Sequence, residues 1–250
     1  MYPNLFGIDW LESYIVLIAI GIIAALVMYR ILSGKVGISD KAFMFYGVVF
    51  IVSIVAGFGF ARLFQMLYNY VQTGDVGTGI TFLGGLVGGV VIFFVLVAIF
   101  GKKYRSDLMK TVNVAMPCIA IGHFFGRIGC FLAGCCYGAE TDSFLGVVFV
   151  GETVPRYPTQ LIEAFFLLLL CISLIIFIFR FNKLDYCAMI YLYSYAVFRF
   201  LIEFVRDDPR GAFQLGMSPS QIICIIMLIG AVVINILLVK KNKKQKLSQE

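Results

Sequence analysis

Charged residues are scarce in this chain of 250 residues: they make up 14% of it, against 61% hydrophobic residues. That balance excludes an ordinary soluble domain and is typical of integral membrane proteins. Low-complexity tracts and obvious internal repeats are absent, and no independent soluble domain fits between the apolar runs. Histidine occurs once, at position 123. Chemistry that depends on histidine therefore has a single candidate residue.

Apolar runs, by contrast, recur along nearly the whole chain, and a membrane-spanning helix needs about 20 such residues. They predict an all-α polytopic membrane protein with seven transmembrane helices, forming one integral membrane domain over residues 1–250. The predicted spans are 14–32, 43–69, 83–100, 108–131, 160–180, 186–206 and 219–239. The first run has no basic leader and no small-residue cleavage site, so we expect it to be retained as a helix. Residues 132–159 are expected to form an extracytoplasmic cap.

The basic residues predict the orientation, because lysine and arginine resist translocation. Of the 20 basic residues, 14 fall in the first, third and fifth connections and in the C-terminal tail. The N-terminus is therefore expected outside and the C-terminus in the cytoplasm. The net charge of +6 then forms a cytoplasmic collar beside anionic lipid. A nucleic-acid-binding patch is the alternative, and no nucleic-acid partner is expected.

Ionisable side chains inside the spans are costly, by about 2.5–3.5 kcal/mol on insertion scales, and each is a candidate for function. His123 and Arg127 lie four residues apart, on one helical face. Spacings of 4, 4 and 3 place four more polar side chains on one stripe of the sixth span: Tyr195, Arg199, Glu203 and Arg206. Arginine exceeds acid in these spans, and its planar guanidinium suits phosphate. The alternatives are an internal Arg199–Glu203 salt bridge with a structural role and a hydrogen-bonded core histidine.

Several segments resemble, in order, the motifs of the prolipoprotein diacylglyceryl transferase family. Residues 126–138 (GRIGCFLAGCCYG) resemble its signature G-R-x-G-N-F-x-x-G-x-x-Y-G. Residues 195–206 (YAVFRFLIEFVR) match its Y-x-x-x-R-x-x-x-E-x-x-R helix, and residues 158–163 (PTQLIE) resemble H-P-S-Q-L-Y-E. Shorter likenesses lie at Tyr14, at Arg62-Leu63, at Gly84-Gly85-Leu86 and at residues 217–221 (MSPSQ). The resemblance covers nearly the whole chain.

The resemblance implies transfer of a diacylglyceryl group from phosphatidylglycerol to the lipobox cysteine thiol of a prolipoprotein, with release of glycerol phosphate. This is the first step of lipoprotein maturation. It implies a multi-pass protein of the bacterial plasma membrane, with its active site toward the extracytoplasmic leaflet. Expected partners are phosphatidylglycerol, a prolipoprotein lipobox peptide and the lipid bilayer, and no metal or other cofactor is required. The implied catalytic residues are Arg127, Arg199, Glu203 and Tyr195. The implied lipid-binding residues are Arg127, Arg199, Arg206, Tyr14, Arg62, Gly84, Gly85, Gly129, Cys130 and Gly134.

The sequence departs from the family pattern at four positions. Leu83 replaces the histidine that precedes Gly-Gly, the residue most often proposed to activate the thiol. Cys130 replaces an asparagine, Cys135 an acid and Tyr157 a histidine. Another group therefore activates the acceptor thiol, or the acceptor is different, or the activity is weak. Three rival functions follow: a paralogue with another acceptor, a non-catalytic lipid-binding relative, and a transporter or flippase of an anionic lipid or solute. The lack of an internal repeat disfavours the transporter.

The seven cysteines divide into two groups. Four occur singly within the predicted spans and are expected to act as small buried hydrophobic residues: Cys118, Cys171, Cys187 and Cys224. The others cluster on the predicted extracytoplasmic side, where disulfides form: Cys130, Cys135 and Cys136. Their open interpretations are small uncharged replacements lining a cavity, a disulfide, a zinc site that includes His123, and an acyl or thioether carrier.

Overall fold

The computed structural model describes residues 12–77, 79, 82–207 and 217–247, without the side chains of residues 72, 73, 82, 83, 219 and 237–247. These residues form seven α-helices: α1 Ser13–Lys35, α2 Asp40–Thr73, α3 Phe82–Phe100, α4 Arg105–Leu132, α5 Thr159–Phe179, α6 Cys187–Ile202 and α7 Pro219–Leu247. Short 3-10 turns lie at Gly101–Tyr104, Leu184–Tyr186 and Glu203–Val205. β Structure in the described part is limited to isolated bridges. The predicted all-α class is confirmed.

Within the described residues, five helical segments are long and apolar enough to cross a membrane: Ser13–Lys35, Asp40–Val71, Gly84–Leu132, Thr159–Phe179 and Leu184–Val205. A sixth apolar segment, Ser220–Ile236, is shorter. The third segment has 49 residues and covers the spans predicted at 83–100 and 108–131 except for residue 83. Its length is more than twice the roughly 20 residues that one crossing needs. The chain is therefore a polytopic membrane protein, and the prediction of seven spans is confirmed only in part.

The side chains are distributed as expected for a protein surrounded by lipid. Large apolar side chains face outward on the long helices, for example Ile23 at 61% exposure and Phe94 at 59%. Polar side chains lie in the interior instead, and the buried ones include Asn113, Gln160, Glu163, Arg199, Glu203 and Gln221. Buried polar groups in hydrocarbon need partners, so these residues mark where the helices meet through specific contacts.

The described helices group into two compact units. The first contains the residues up to Tyr29 and those from Val112 onward, and the second contains Arg30–Thr111. In the second unit, α2 packs closely against α3. A Cβ atom on Gly57 would lie only 2.9 Å from the carbonyl oxygen of Gly85, so the two backbones touch at a glycine pair. The Ser39 hydroxyl caps the start of α2 by accepting a hydrogen bond from the Ala42 amide at 3.3 Å.

In the first unit, α6 packs against both α5 and α7. The rings of Phe166 and Phe198 stack with their centroids 3.9 Å apart, which joins α5 to α6. The buried Asn113 side chain of α4 accepts a hydrogen bond from the Ala188 amide near the start of α6, at 2.8 Å. These contacts bring α4, α5 and α6 together, and the candidate site lies on these helices.

The α4–α5 loop (residues 133–158) lies within the predicted cap of residues 132–159, and Arg156 makes several of its contacts. This guanidinium forms ion pairs with Glu152 at 2.7 Å, Asp207 at 2.9 Å and Glu140 at 3.4 Å. The Tyr137 hydroxyl also donates a hydrogen bond to Glu152, at 2.6 Å. These hydrogen bonds from Tyr137 and Arg156 lower the pKa of the Glu152 carboxyl. The loop therefore has one defined shape, and its extracytoplasmic position stays a prediction.

Candidate functional site

A single buried carboxylate, that of Glu163 in the first turns of α5, connects three helical segments. The Arg127 Nε atom of α4 lies 3.0 Å from Glu163 Oε2, and Arg206 Nη1 lies 3.9 Å from the same oxygen. The Tyr195 hydroxyl of α6 donates a hydrogen bond to Glu163 Oε1 at 3.0 Å, and His123 Nε2 lies 3.7 Å from that oxygen. The Glu163 side chain has no exposed surface. Its charge is therefore balanced by protein groups instead of by water.

A second buried ion pair lies on α6 and the turn that follows it. Arg199 Nη1 is 2.5 Å from Glu203 Oε2, and both side chains are less than a tenth exposed. The Arg199 Nη2 group also donates a hydrogen bond to the Ser220 hydroxyl of α7 at 3.0 Å. The internal salt bridge weighed from the sequence is therefore present, and it is joined to α7.

The predicted polar stripe of the sixth span is only partly helical. α6 ends at Ile202, the chain continues as a 3-10 turn over Glu203–Val205, and Arg206 is extended with φ −83° and ψ 142°. The 3-10 turn tightens the backbone after the last α-helical residue. Arg206 thus leaves the helical register and reaches Glu163 on α5. The α-helix therefore covers 16 of the 21 residues of the predicted span 186–206, and the 3-10 turns extend the helical stretch to Leu184–Val205.

Together these residues form an arginine–glutamate cluster, defined here as Arg127, Glu163, Arg199, Glu203 and Arg206. Three guanidinium groups and two carboxylates leave one excess positive charge in this set. The Nε atom of Arg127 and the Nη1 atom of Arg199 are buried, and neither has an acceptor in hydrogen-bonding geometry among the described residues. Their contacts to glutamate are therefore ion pairs by distance but not aligned hydrogen bonds. Buried cationic donors of this kind favour binding of an anion with several acceptor oxygens.

A thiol cluster follows directly after α4. The Sγ atoms of Cys130, Cys135 and Cys136 all lie within 4.8 Å of one another, and all three are free thiols. Gly134 has φ +72°, a left-handed conformation that glycine adopts without strain, and this turn folds Cys135 and Cys136 back toward the helix end. The Cys135 amide donates a hydrogen bond to the Cys130 carbonyl at 3.1 Å.

The start of α5 holds the thiol cluster in place. The Gln160 side-chain amide donates a hydrogen bond to the Cys135 carbonyl at 2.5 Å, and the Thr159 hydroxyl donates one to the Cys136 carbonyl at 2.8 Å. Hydrogen bonds from the Cys130 and Cys135 thiols lower the pKa of Cys136, and the positive charges of Arg206 and Arg127 lower it further.

Other predicted lipid-binding residues make local contacts. A Cβ atom on Gly129 would lie 3.1 Å from Tyr14 Cδ2, so this glycine allows α1 to approach α4 within the first unit. In the second unit, the Arg62 guanidinium donates hydrogen bonds to the carbonyls of Gly77 at 2.8 Å and Gly79 at 3.0 Å. A contact of Arg62 with phosphate therefore stays a prediction.

The glycine motif of the second unit also packs locally. A Cβ atom on Gly84 would lie 2.6 Å from the Phe64 Cβ atom, and one on Gly85 would lie 3.1 Å from that of Ala61. These contacts explain both glycines by the close packing of α3 against α2, while their role in lipid binding stays a prediction. Leu83 belongs to α3, but its side chain lies outside the described residues.

Three contact residues were not among the site residues predicted from the sequence: Glu163, Gln160 and Ser220. The contacts of Glu163 with α4, α6 and Arg206 depend on the tertiary structure. A usable signal was the need of Arg127 for a counter-ion outside its own helix. His123 Nε2 lies 3.7 Å from Glu163 Oε1, and the centroid of its ring lies 5.4 Å from that of Tyr195 in an edge-on contact. The role of His123 stays a prediction.

Comparison with known proteins identifies the family of this chain. The family model for prolipoprotein diacylglyceryl transferase matches residues 3–237. The phosphatidylglycerol–prolipoprotein diacylglyceryl transferase of Clostridium tetani is 31% identical over 248 residues, which are 94% of this chain and 98% of that protein. The second such enzyme of Clostridium perfringens is 29% identical over 252 residues, which are 97% of this chain and 96% of that protein. The chain therefore belongs to the prolipoprotein diacylglyceryl transferase family.

Proposed function

We propose that this protein transfers the diacylglyceryl group of phosphatidylglycerol to the lipobox cysteine thiol of prolipoproteins and releases glycerol phosphate. Two relatives that span nearly the whole chain at about 30% identity are named for this reaction. The observation that carries the proposal is the pair of buried arginines, Arg127 and Arg199, each of which has one guanidinium nitrogen, Nε and Nη1 respectively, without an aligned hydrogen bond among the described residues. In this proposal the protein crosses the bacterial plasma membrane seven times. Its N-terminus lies outside, and its active site faces the extracytoplasmic leaflet.

The reaction breaks a carbon–oxygen bond of the lipid, and negative charge develops on the departing phosphate. Preorganised cations in a dry site stabilise that charge more strongly than water does. Arg127 and Arg199 are the proposed phosphate ligands. Glu163 positions Arg127, and Glu203 positions Arg199, through the ion pairs at 3.0 and 2.5 Å. Tyr195 acts on the site through its hydrogen bond to Glu163.

The charge of the arginine–glutamate cluster suits this substrate. Its one excess positive charge matches the single negative charge of a phosphodiester. Glycerol phosphate carries additional negative charge once the bond has broken, so the cluster interacts more strongly with the departing group than with the intact lipid. Binding that strengthens along the reaction lowers the barrier instead of only tightening substrate binding.

A paralogue that uses another acceptor is the second candidate, and the departures of the sequence from the family pattern favour it. Leu83 replaces the family histidine, and Cys130 and Cys135 replace a family asparagine and acid. Arg127 and Arg199, the proposed phosphate ligands, match the family residues. Under this alternative the donor lipid is unchanged and only the acceptor differs.

The test is an assay of the purified full-length protein in detergent with labelled phosphatidylglycerol and a lipobox peptide. We expect the peptide to gain the mass of a diacylglyceryl group and glycerol phosphate to appear in equal amount. A peptide with serine in place of the cysteine is the control and should stay unmodified. Release of glycerol phosphate without modified peptide would favour another acceptor. An intact lipid and unmodified peptide with a folded protein would refute transferase activity.

A further inference from the structure

The thiol cluster has the composition and spacing of a site for a soft cation. Thiolates select zinc and similar thiophilic ions over calcium or magnesium, which prefer oxygen ligands. A zinc–sulfur bond of about 2.3 Å places two sulfurs of a tetrahedral site about 3.8 Å apart. The three Sγ atoms here lie within 4.8 Å of one another. The largest of these separations therefore exceeds the spacing in a zinc site by at most about 1 Å.

The surroundings of the cluster suit such an ion. The carbonyls of Cys135 and Cys136 are held by Gln160 and Thr159, so the backbone that presents these sulfurs is already positioned.

The fourth coordination position has no obvious protein ligand in the described part of the chain. Among those residues the group of neighbouring metal-ligand side chains consists of the three cysteines. His123, the remaining nitrogen donor weighed from the sequence, contacts Glu163 at 3.7 Å. Sites with three protein ligands and one open position are the arrangement of catalytic zinc, whereas structural zinc is enclosed by four.

We propose that Cys130, Cys135 and Cys136 bind a thiophilic divalent cation such as zinc, and that its open position takes the acceptor cysteine as a thiolate. The identity of the incoming thiol rests on the proposed function, whereas the metal site itself does not. This inference differs from the expectation of a reaction without metal. It gives a chain that has Leu83 in place of the family histidine a means of activating the acceptor thiol.

The proposed step balances without any redox change. On binding to the cation, the acceptor S–H group loses its proton to water, because coordinated thiols are deprotonated. The thiolate lone pair then attacks the glycerol carbon of the lipid. The S–C bond forms as the C–O bond breaks, and the electron pair of that bond leaves with the phosphate beside Arg127 and Arg199. The cation and the three cysteine thiolates are unchanged after turnover.

The metal site is tested first, with no reference to activity. The purified full-length protein, reduced and freed of metal by chelation, is titrated with Co²⁺, whose thiolate complexes have strong near-ultraviolet charge-transfer bands. We expect one equivalent to bind. Cys130→Ser, Cys135→Ser and Cys136→Ser should each weaken binding by more than the roughly 10- to 100-fold that outer-shell changes cost. Cys171→Ala, at a buried thiol in the middle of α5, is the matched control and should bind Co²⁺ normally.

Several results would overturn the site. One is the absence of charge-transfer bands when Co²⁺ is added to the folded protein. Another is a loss of Co²⁺ binding in Cys171→Ala as large as in the three cluster variants. The third is a disulfide within the cluster, detected by counting free thiols after purification without reductant. Zinc measured by elemental analysis at about one per chain in protein from zinc-supplemented cells would support it.

The open position is tested by adding a lipobox peptide to the Co²⁺-loaded protein. Entry of a fourth sulfur should intensify the charge-transfer band, and the peptide with serine in place of cysteine should leave it unchanged. Bound Co²⁺ with no response to the cysteine peptide would overturn the activation step. A response to the peptide with no diacylglyceryl transfer would support the metal site and count against the proposed function.

Discussion

Arg127 of α4 and Glu163 of α5 form a buried ion pair in which the Nε and Oε2 atoms are 3.0 Å apart. The Glu163 side chain is fully enclosed, so the pair replaces hydration for both residues. Such pairs contribute little net stability compared with apolar packing, but removing one partner leaves an uncompensated charge. The pair therefore fixes the orientation of a guanidinium whose Nε donor is not used in an aligned hydrogen bond. This relationship underlies the first two predictions.

Replacing the proposed phosphate ligands should abolish most turnover while the protein remains folded. We expect Arg127→Ala and Arg199→Ala each to lower the rate about 100- to 1,000-fold, equivalent to about 2.7–4 kcal/mol, as for removal of one oxyanion donor. Lysine at either position should rescue poorly, because it lacks the two-pronged guanidinium. Product formation from labelled lipid is the measurement. Arg30→Ala is the control, since Arg30 pairs with Asp40 where both side chains are more than half exposed. Near-normal activity of Arg127→Ala would refute the phosphate assignment.

Glu163→Gln should reduce both stability and activity. The change leaves Arg127 and Arg206 without the carboxylate that they share. Loss of one partner from a buried pair costs about 3–5 kcal/mol. Thermal unfolding in detergent measures this cost, and the midpoint should fall clearly below that of Glu140→Gln. Glu140 is the matched control because its side chain is 64% exposed. An unchanged midpoint for Glu163→Gln would mean that the carboxylate is already neutral in the folded protein.

The sequence predicted the helices of this fold well because its main signal is local. An apolar run of about 20 residues forms a helix in lipid whatever its neighbours are, since its backbone groups must be paired within the segment. The predicted ends of the helices were less accurate than their positions. The second span, for example, was predicted as 43–69, and the helix extends over Asp40–Thr73. Polar residues at helix ends, such as the Ser39 cap, carry no hydropathy signal.

Contacts within the site were predictable from the sequence where both residues lie close together along one helix. Arg199 and Glu203 are four residues apart and form the ion pair that this spacing allows. The sequence placed Cys130, Cys135 and Cys136 in one group and left a zinc site among several interpretations, because their spacing fits no standard metal motif. Their sulfurs meet because Gly134 turns the chain back at φ +72°. Contacts of Glu163 with other helices likewise required the tertiary structure.

The predicted orientation can be tested by chemical labelling of intact cells. In a background free of native cysteine, Asp75→Cys and Glu140→Cys should react with a membrane-impermeant thiol reagent from outside. Lys102→Cys should react only after the cells are opened, because the basic connections are expected in the cytoplasm. Labelling is read by gel shift. Reaction of Lys102→Cys in intact cells would invert the proposed topology and place the arginine–glutamate cluster toward the wrong leaflet.

The last prediction concerns the pH dependence of the rate and the effect of Leu83→His. A free cysteine thiol has a pKa of about 8.5, so without activation the rate should rise with pH up to that value and then level off. The thiolate is the reacting form, and its fraction grows as the pH approaches the pKa from below. If the acceptor thiol binds to the cation of the thiol cluster, the rate of the metal-loaded protein should depend less on pH, and removal of metal by chelation should restore the rise.

Leu83→His introduces a general base, which typically accelerates a reaction about 100- to 10,000-fold. After removal of metal, Leu83→His should therefore react faster than the parent protein near pH 7. Its rate should also depend less on pH than that of the metal-free parent protein. Initial rates between pH 6 and pH 9 for both proteins, with and without chelator, provide the four curves that are needed. A parent profile that chelation leaves unchanged would argue against metal activation. Equal rates for the two chelated proteins would mean that position 83 does not reach the acceptor thiol, in which case His123 is the next base to test by substitution.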